Sequence, residues 1–389
     1  MIDVKDRGIP MKKSVILVPA DFRVESVREY AVLNQKYEAS GLAVSEFYGS
    51  LNPSPFGVTK NPKNLKQVGL GELAAYNAEL KKYGFEFNYI LNFLCYGGRE
   101  FSLEGTKSIL AYVKKLYDMG IRRFTVANPV IAKAMSITFP EIRISISIVQ
   151  NTGTKLKLRT YAGIRAVDRV YVSEDMIRDF NAIHSLREEA QQIPGETGVE
   201  LAVLLNSFCL IDCPYKVNHA NVDGHLVEGS TQDMPHYFYA WCSLQKLSHP
   251  REILRLQAIR PEELRLFEQA GVSAFKLAGR ELPEADFLRT AEGYMSRSYK
   301  GNLMDLLAVY SDNFFREIYH IDNKALAGRL EEIIESGVRC RDHSNCESCG
   351  ICEKYLSAVT VNEERLSHYR AMFQKSYDQY AEQVKAITL

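Results

Sequence analysis

Short, mostly apolar runs recur along the first two thirds of the chain. Ser14-Val-Ile-Leu-Val-Pro19, Leu42-Ala-Val-Ser-Glu-Phe-Tyr48 and Phe87-Asn-Tyr-Ile-Leu-Asn-Phe93 read as strands. Ile121–Ala127, Ile142–Ile148, Asp168–Val172, Val199–Leu205 and Ser273–Leu277 follow the same pattern. Between them lie segments with apolar residues at helical spacing, such as Leu103, Ile109, Leu110, Val113, Leu116 and Tyr117, closed by Gly120. Near-continuous apolar strands alternating with amphipathic helices predict a parallel sheet, closed as a (β/α)8 TIM-type barrel. Leu254-Arg-Leu-Gln-Ala-Ile-Arg260 is a ninth, weakest strand candidate, so the barrel is expected to be regular or slightly irregular.

From about residue 284 the pattern becomes helical throughout. Three parts are expected: a loose N-terminal extension over 1–13, a barrel domain over 14–283, and a helical C-terminal extension over 284–389. The tail carries Leu366, Tyr369, Phe373, Tyr377, Tyr380, Val384 and Ile387 at helical spacing. This stripe either docks on the barrel or meets a protein partner subunit.

Lys plus Arg and Asp plus Glu both number 48 in the 389 residues, so no bulk field favours nucleic acid. No apolar run is long enough to span a bilayer, and the polar start lacks a signal-peptide core. A reducing cytoplasmic location is therefore expected. Eight cysteines there point to metal or redox chemistry rather than structural disulfides.

The cysteines fall into two sets. Cys340, Cys346, Cys349 and Cys352 form a knot in which thiolates two residues apart can share one metal. Either a 4Fe–4S cluster or a structural zinc fits these four. Cys209, Cys213 and Cys242 form the second set, with Cys95 as a candidate fourth. Cys95 and Cys209 both follow strands, where a barrel places its chemistry. Without Cys95, three thiolates would leave one iron of a cluster open to a ligand. The radical-SAM spacing fails, because Lys216 stands where its third cysteine is required.

His219, shortly after Cys213-Pro214, is either a proton donor or ligand near a cluster, or a hydrogen-bonded structural residue. Polar residues at the expected strand ends (Asn92, Asn128, Gln150, Asn151, Asn206, Arg260, Lys276 and Arg280) should converge on one mouth. Lys276 interrupts an apolar strand, and with Arg280 it can hold a carboxylate or phosphate. The alternative is a salt bridge to a barrel carboxylate. No serine-hydrolase elbow, zinc-protease helix motif or phosphate-binding loop is present.

The ordered set Asn206-x-x-Cys209-x-x-x-Cys213-Pro-x-x-x-x-His219-x-Asn221, Ile259-Arg-Pro-Glu-Glu-Leu264, Phe275-Lys-Leu-Ala-Gly-Arg280 and Tyr299-Lys-Gly-Asn-Leu-Met-Asp-Leu-Leu307 resembles peptidase family U-32. The knot after Asp322-Asn323 fits some members. The resemblance implies a barrel with a cysteine-bound 4Fe–4S cluster, for which Cys209, Cys213 and Cys242 are the corresponding ligands. It also implies relatives that act as oxygen-independent hydroxylases in ubiquinone synthesis and on RNA bases. The expected function is thus an oxygen-independent hydroxylation or related redox step, on a small molecule with a carboxylate or on a peptide. A metal-dependent, collagenase-like peptidase and a non-catalytic iron–sulfur scaffold or redox sensor are the alternatives.

Overall fold

The computed structural model describes residues 14–387, apart from 57–58, 61, 194–197, 226–235, 309–313 and 341–345. The expected loose extension over 1–13 lies outside the described residues. Strands β1 (Ser14–Pro19), β2 (Leu42–Gly49), β3 (Glu86–Leu91), β4 (Arg123–Val126), β5 (Arg143–Ile146), β6 (Val167–Tyr171), β7 (Glu200–Leu204) and β8 (Val272–Lys276) close into an eight-stranded barrel in chain order. Each neighbouring pair is parallel, and β8 pairs with β1 to seal the ring. This is the (β/α)8 fold that the strand–helix alternation predicts.

The shell comprises α1 (Val24–Lys36), α2 (Leu70–Lys82), α3 (Leu103–Asp118), α4 (Pro129–Thr138), α5 (Lys155–Ala162) and α6 (Phe180–Gln192). Between β7 and β8 lie α7 (Lys216–His225), α8 (Tyr237–Lys246), α9 (Pro250–Leu254) and α10 (Leu264–Gln269). Local chemistry sets several helix starts: Ser102, Asn128, Thr154 and Asp179 accept hydrogen bonds from first-turn backbone N–H groups, and Pro129 occupies the first turn of α4. α11 (Glu284–Met295) packs against α1 and β1. The eighth helix of the shell therefore comes from the stretch expected to open the C-terminal extension.

The ninth strand candidate is not a strand. Pro250 opens the short helix α9, and the chain then runs irregularly until Ala258 makes a single antiparallel bridge to Asn206. Leu254, Leu256 and Ile259 are buried there, so the alternation reports burial and not a ladder.

Inside the ring the side chains lie in layers. At the N-terminal end Glu46 faces Arg123 and Arg169, while Asn88 donates to Glu46 and Thr125 donates to Asn88. Arg169 also pairs with Glu200, and Arg123 with Asp168. Above this charged plug Leu17, Tyr48, Ile90, Tyr171, Ala202 and Ala274 form an apolar layer, with two alanines making room for two tyrosines. In β5, Ile144 and Ile146 belong to the core between ring and helices, while the buried Ser145 pairs in register with the inward Arg169.

Beyond the barrel come α12 (Phe314–Ile318), β9 (Tyr319–Ile321), α13 (Arg329–Ser336), α14 (Cys346–Cys349), α15 (Ile351–Lys354), β10 (Val359–Val361) and α16 (Glu363–Lys385). β9 and β10 form a two-stranded antiparallel sheet. The aromatic stripe of the tail packs on α8 and α12: Phe373 lies 5.6 Å from Tyr239 and 5.1 Å from Phe314, and Tyr377 stacks 4.8 Å from Tyr237. Val384 and Ile387 remain exposed past the end of that contact. α16 thereby buttresses the helix that carries Cys242.

Candidate functional site at the C-terminal end of the barrel

Parallel strands point their carboxyl ends at one mouth, so residues at or just past those ends share a chamber. Lys276 is the last residue of β8 and is 8% exposed. Its Nζ lies 3.9 Å from the ring centre of Tyr48 and 5.4 Å from that of Tyr171, which project from β2 and β6. Burial first, and then the nearby Arg280 guanidinium, push its pKa down to about 7. Arg280 donates to Ser50 Oγ at 3.3 Å, and its own pKa is lowered by burial. Glu281, next to it in the chain, is taken by Lys60 at 2.6 Å. Among the described residues neither Lys276 nor Arg280 has an ion-pair partner, so the alternative of a salt bridge to a barrel carboxylate is not realised. The buried hydroxyl of Tyr171 makes no hydrogen bond.

α7 lies over this end of the ring. Gly224 fits there because any Cβ would run into the Phe93 ring, 2.2 Å away. His219 and Asp223, one helical turn apart, project together toward His236. Their ligand atoms all lie within 4.8 Å of one another, the one such trio of potential metal-binding groups among the described residues. His236 Nδ1 accepts the backbone N–H of Tyr239 at the start of α8. In the neutral ring the proton must then sit on Nε2, which faces Asp223 Oδ1 at 3.4 Å. A metal would need that nitrogen bare, and a metal-bound histidine normally donates from its other nitrogen rather than accepting there. The trio is better suited to holding and passing a proton. Burial, the largest influence, pushes the His219 pKa down to about 4 against the opposing pull of Asp223.

Cys209, Cys213 and Cys242 come together beside the mouth, although they lie on the β7 exit loop, at its far end and on α8. The Cys209 pKa is raised by burial and further by Cys242. Cys213 is pushed up to about 11 by burial, with Cys242 and Cys209 adding to the rise. Lys246 and Lys216 oppose the rise at Cys209. Lys216 is anchored on Asp175, 2.8 Å away, and Gln257 also donates to Asp175. Lys246 is buried with its Nζ over the Phe208 ring at 4.5 Å. Cys95 is half-buried on the β3 exit, and no interaction among the described residues draws it to the trio.

The late cysteines also gather. Cys340, Cys346, Cys349 and Cys352 line one cavity of about 20 Å³ with Arg178, Arg251 and Arg255 at its wall. Arg329 Nη1 lies 3.9 Å from Cys352 Sγ and also donates to the Leu254 carbonyl.

Other expected mouth residues serve as latches. Asn206 donates to the Ala278 and Leu306 carbonyls and accepts from the Ala278 N–H. Arg260 donates to the Asn323 side chain and the Leu326 carbonyl, while Asn323 donates to Glu262 and to the Tyr299 carbonyl. Asn128 caps α4, and Gln150 donates to the Ala127 carbonyl. Asn92 donates to Thr59, whereas the side-chain oxygens of Asn92 and Asn151 are buried without partners.

No family model matches the chain. An uncharacterized protease of Methanocaldococcus jannaschii is 25% identical over 345 residues, covering 87% of this chain and 97% of that one. Among solved structures, a U32 peptidase superposes with a TM-score of 0.50 at 16% identity, over 72% of this chain and 97% of that one, and shares its barrel fold. In sequence the chain is similar to that archaeal protease, and in fold to that U32 peptidase.

Sequence reasoning missed Asp223, His236, Lys216 and Lys246 as members of these clusters. The i, i+4 spacing of His219 and Asp223 was a usable signal. Nothing in the sequence links His236 to them, because the link is made in space. The two lysines surface only once the loop places their ammonium groups beside the thiols.

Both cysteine sets suit an iron–sulfur group by the chemistry of their donors. Thiols whose pKa is raised by burial ionise when a bound cation compensates the charge. Positive side chains already flank each set: Lys216 and Lys246 at the barrel, Arg255 and Arg329 at the knot.

Proposed function

We propose that this chain is an iron–sulfur enzyme that carries out an oxygen-independent hydroxylation, or a related redox step, on a carboxylate-bearing substrate. The observation that carries the reading is the gathering of Cys209, Cys213 and Cys242, flanked by Lys216 and Lys246, at the barrel end that also holds the unpaired Lys276 and Arg280. Those three thiolates would hold a 4Fe–4S cluster, with Cys95 free to serve as a fourth ligand or not. When bound, such a cluster supplies an electron reservoir and, with three protein ligands, one iron open to an oxygen-bearing ligand. Among the described residues, no three cysteine sulfurs lie within 4.8 Å of one another.

The chain's own residues divide the remaining work. Arg280 offers two parallel N–H donors to a carboxylate, and its charge is permanent. Lys276, near Arg280 at the β8 end, adds a second donor. His219, neutral at physiological pH, accepts a proton at its free ring nitrogen, and Asp223 steadies the resulting imidazolium. α7 and the aromatic residues at the mouth keep bulk water away. The knot of Cys340, Cys346, Cys349 and Cys352 holds either a second cluster, which hands on electrons, or a zinc ion, which clamps the extension.

Anaerobic purification with iron, sulfide and zinc analysis tests this reading. About eight irons support two clusters, and about four irons with one zinc support a cluster and a clamp. Iron-free, colourless protein overturns the proposal. The name of the archaeal relative suggests proteolysis, and His219, Asp223 and His236 would be the metal ligands that reading needs. Zinc without iron, with peptide cleavage abolished by a chelator, would establish that peptidase instead.

A further inference from the structure

Two buried cations side by side with no acid between them are costly to keep charged. The buried Lys276 amine and the half-buried Arg280 guanidinium approach this case: among the described residues neither is in an ion pair, and Glu281 is held by Lys60. Arginine cannot shed its proton, so the lysine is the member that can relieve the repulsion. Its surroundings reinforce this: the Nζ rests against the Tyr48 ring, faces Tyr171 across the barrel interior and, among the described residues, is in no ion pair, while Glu46 opposes the fall in its pKa without outweighing burial and Arg280. A lysine in an apolar chamber beside a second cation is the arrangement that makes an amine nucleophilic at neutral pH.

We propose that Lys276 forms an imine with the carbonyl of a small 2-oxo acid whose carboxylate is held by Arg280. The inference rests on the barrel mouth being a carboxylate-binding chamber, and it does not depend on the cluster. Burial and Arg280 hold the Lys276 pKa near 7, so a substantial fraction of the amine is free at physiological pH. The Nζ lone pair forms the C–N bond while the carbonyl π pair moves to oxygen, which takes up a proton. The nitrogen of this carbinolamine loses a proton, the hydroxyl takes one up and leaves as water, and a protonated imine remains. Nothing is oxidised or reduced. A phosphate ester fits less well. Its dianion would fix Lys276 in the charged form and offers no carbon for the amine to attack.

The test uses the full-length protein with pyruvate and sodium cyanoborohydride, which reduces an imine to a stable secondary amine, followed by peptide mass spectrometry. Acetone, a ketone without a carboxylate, is the comparison, and pyruvate binding without reductant is measured by calorimetry. The expected adduct lies on Lys276, forms with pyruvate far more readily than with acetone, and disappears in Lys276→Arg. Arg280→Met should raise the pyruvate concentration for half-labelling by about tenfold or more, as expected for a lost charge-assisted contact. Mapping the adduct on the unmodified chain is decisive even if a variant folds poorly. If pyruvate binds in an Arg280-dependent way and no Lys276 adduct forms, the imine is refuted while the carboxylate chamber stands. If pyruvate neither binds nor labels, both fall. Equal labelling of surface lysines also overturns the imine.

Discussion

Arg169 Nη1 lies 2.7 Å from Glu46 Oε1 inside the N-terminal half of the barrel, and the same carboxylate faces Arg123 Nε at 3.6 Å. One buried acid thus serves two buried arginines. The two guanidinium groups hold the Glu46 pKa down to about 2 despite its burial. Removing one partner from such a group leaves uncompensated charge, which costs about 3–5 kcal/mol. Glu46→Gln is therefore expected to destabilise the barrel by that order, read as a lowered melting temperature. The depressed pKa also fixes a pH window. Glu46 contributes its full stability above its ordinary value of 4.5, and the contribution is lost as pH falls toward 2. Glu46→Gln should flatten acid unfolding over that window. An unchanged acid transition would show that the plug contributes nothing there.

Iron content separates the two cysteine sets. Serine at Cys209, Cys213 or Cys242 should each remove the barrel iron, leaving the knot's metal intact. Serine at Cys346 or Cys349 should do the reverse. Cys95→Ser should keep full iron content, because no interaction among the described residues draws Cys95 toward the trio. Loss of the barrel iron in Cys95→Ser would make it the fourth ligand and would close the site to exogenous ligands.

Lys246 carries a charge to the thiols that its sequence position does not reveal. Its buried ammonium opposes the rise of the Cys209 pKa. A cluster held there gains negative charge on reduction, and a nearby cation favours that form. Lys246→Met should shift the barrel cluster's reduction potential to a more negative value in a redox titration followed by electron paramagnetic resonance. The knot's potential should stay in place. A potential that does not move would remove Lys246 from the site's electrostatics.

The ring was legible because each strand combines an apolar run with a clear stop. Leu254–Arg260 misled because buried leucines every second residue also arise in an irregular segment pinned by Asn206. α7 was not legible: Lys216-Val-Asn-His-Ala-Asn-Val-Asp-Gly-His225 has no apolar stripe, and it is fixed by its contacts over the mouth. Asn206 and Arg260 are expected at the mouth, and the structure uses them as latches, because a polar residue after a strand looks the same whether it meets a ligand or a carbonyl. Asn206 makes three such backbone bonds, so Asn206→Ala should cost about 2–3 kcal/mol and loosen the β8 exit that carries Arg280. Lys276 stands out in the sequence because it interrupts an apolar strand, and the structure places it buried at the end of β8. What the sequence could not supply was that, among the described residues, no acid forms an ion pair with it.

The proton relay makes the sharpest claim about a single atom. Tyr239 donates its backbone N–H to His236 Nδ1, which forces the neutral ring to carry its proton on Nε2 toward Asp223. Nitrogen-detected NMR of labelled histidine should find that tautomer at His236. His219 should remain neutral down to about pH 4, where burial has moved its pKa from the ordinary 6.5. The unfolded chain takes up that proton earlier, so between pH 6.5 and 4 it binds more protons than the native state. Stability from this group is fully present above pH 6.5 and declines by up to ~3 kcal/mol as pH falls through the window. His219→Gln should remove that slope. A His236 ring deprotonated at Nε2, with stoichiometric zinc bound and lost on chelation, would convert the trio into a metal site and return the peptidase reading to first place.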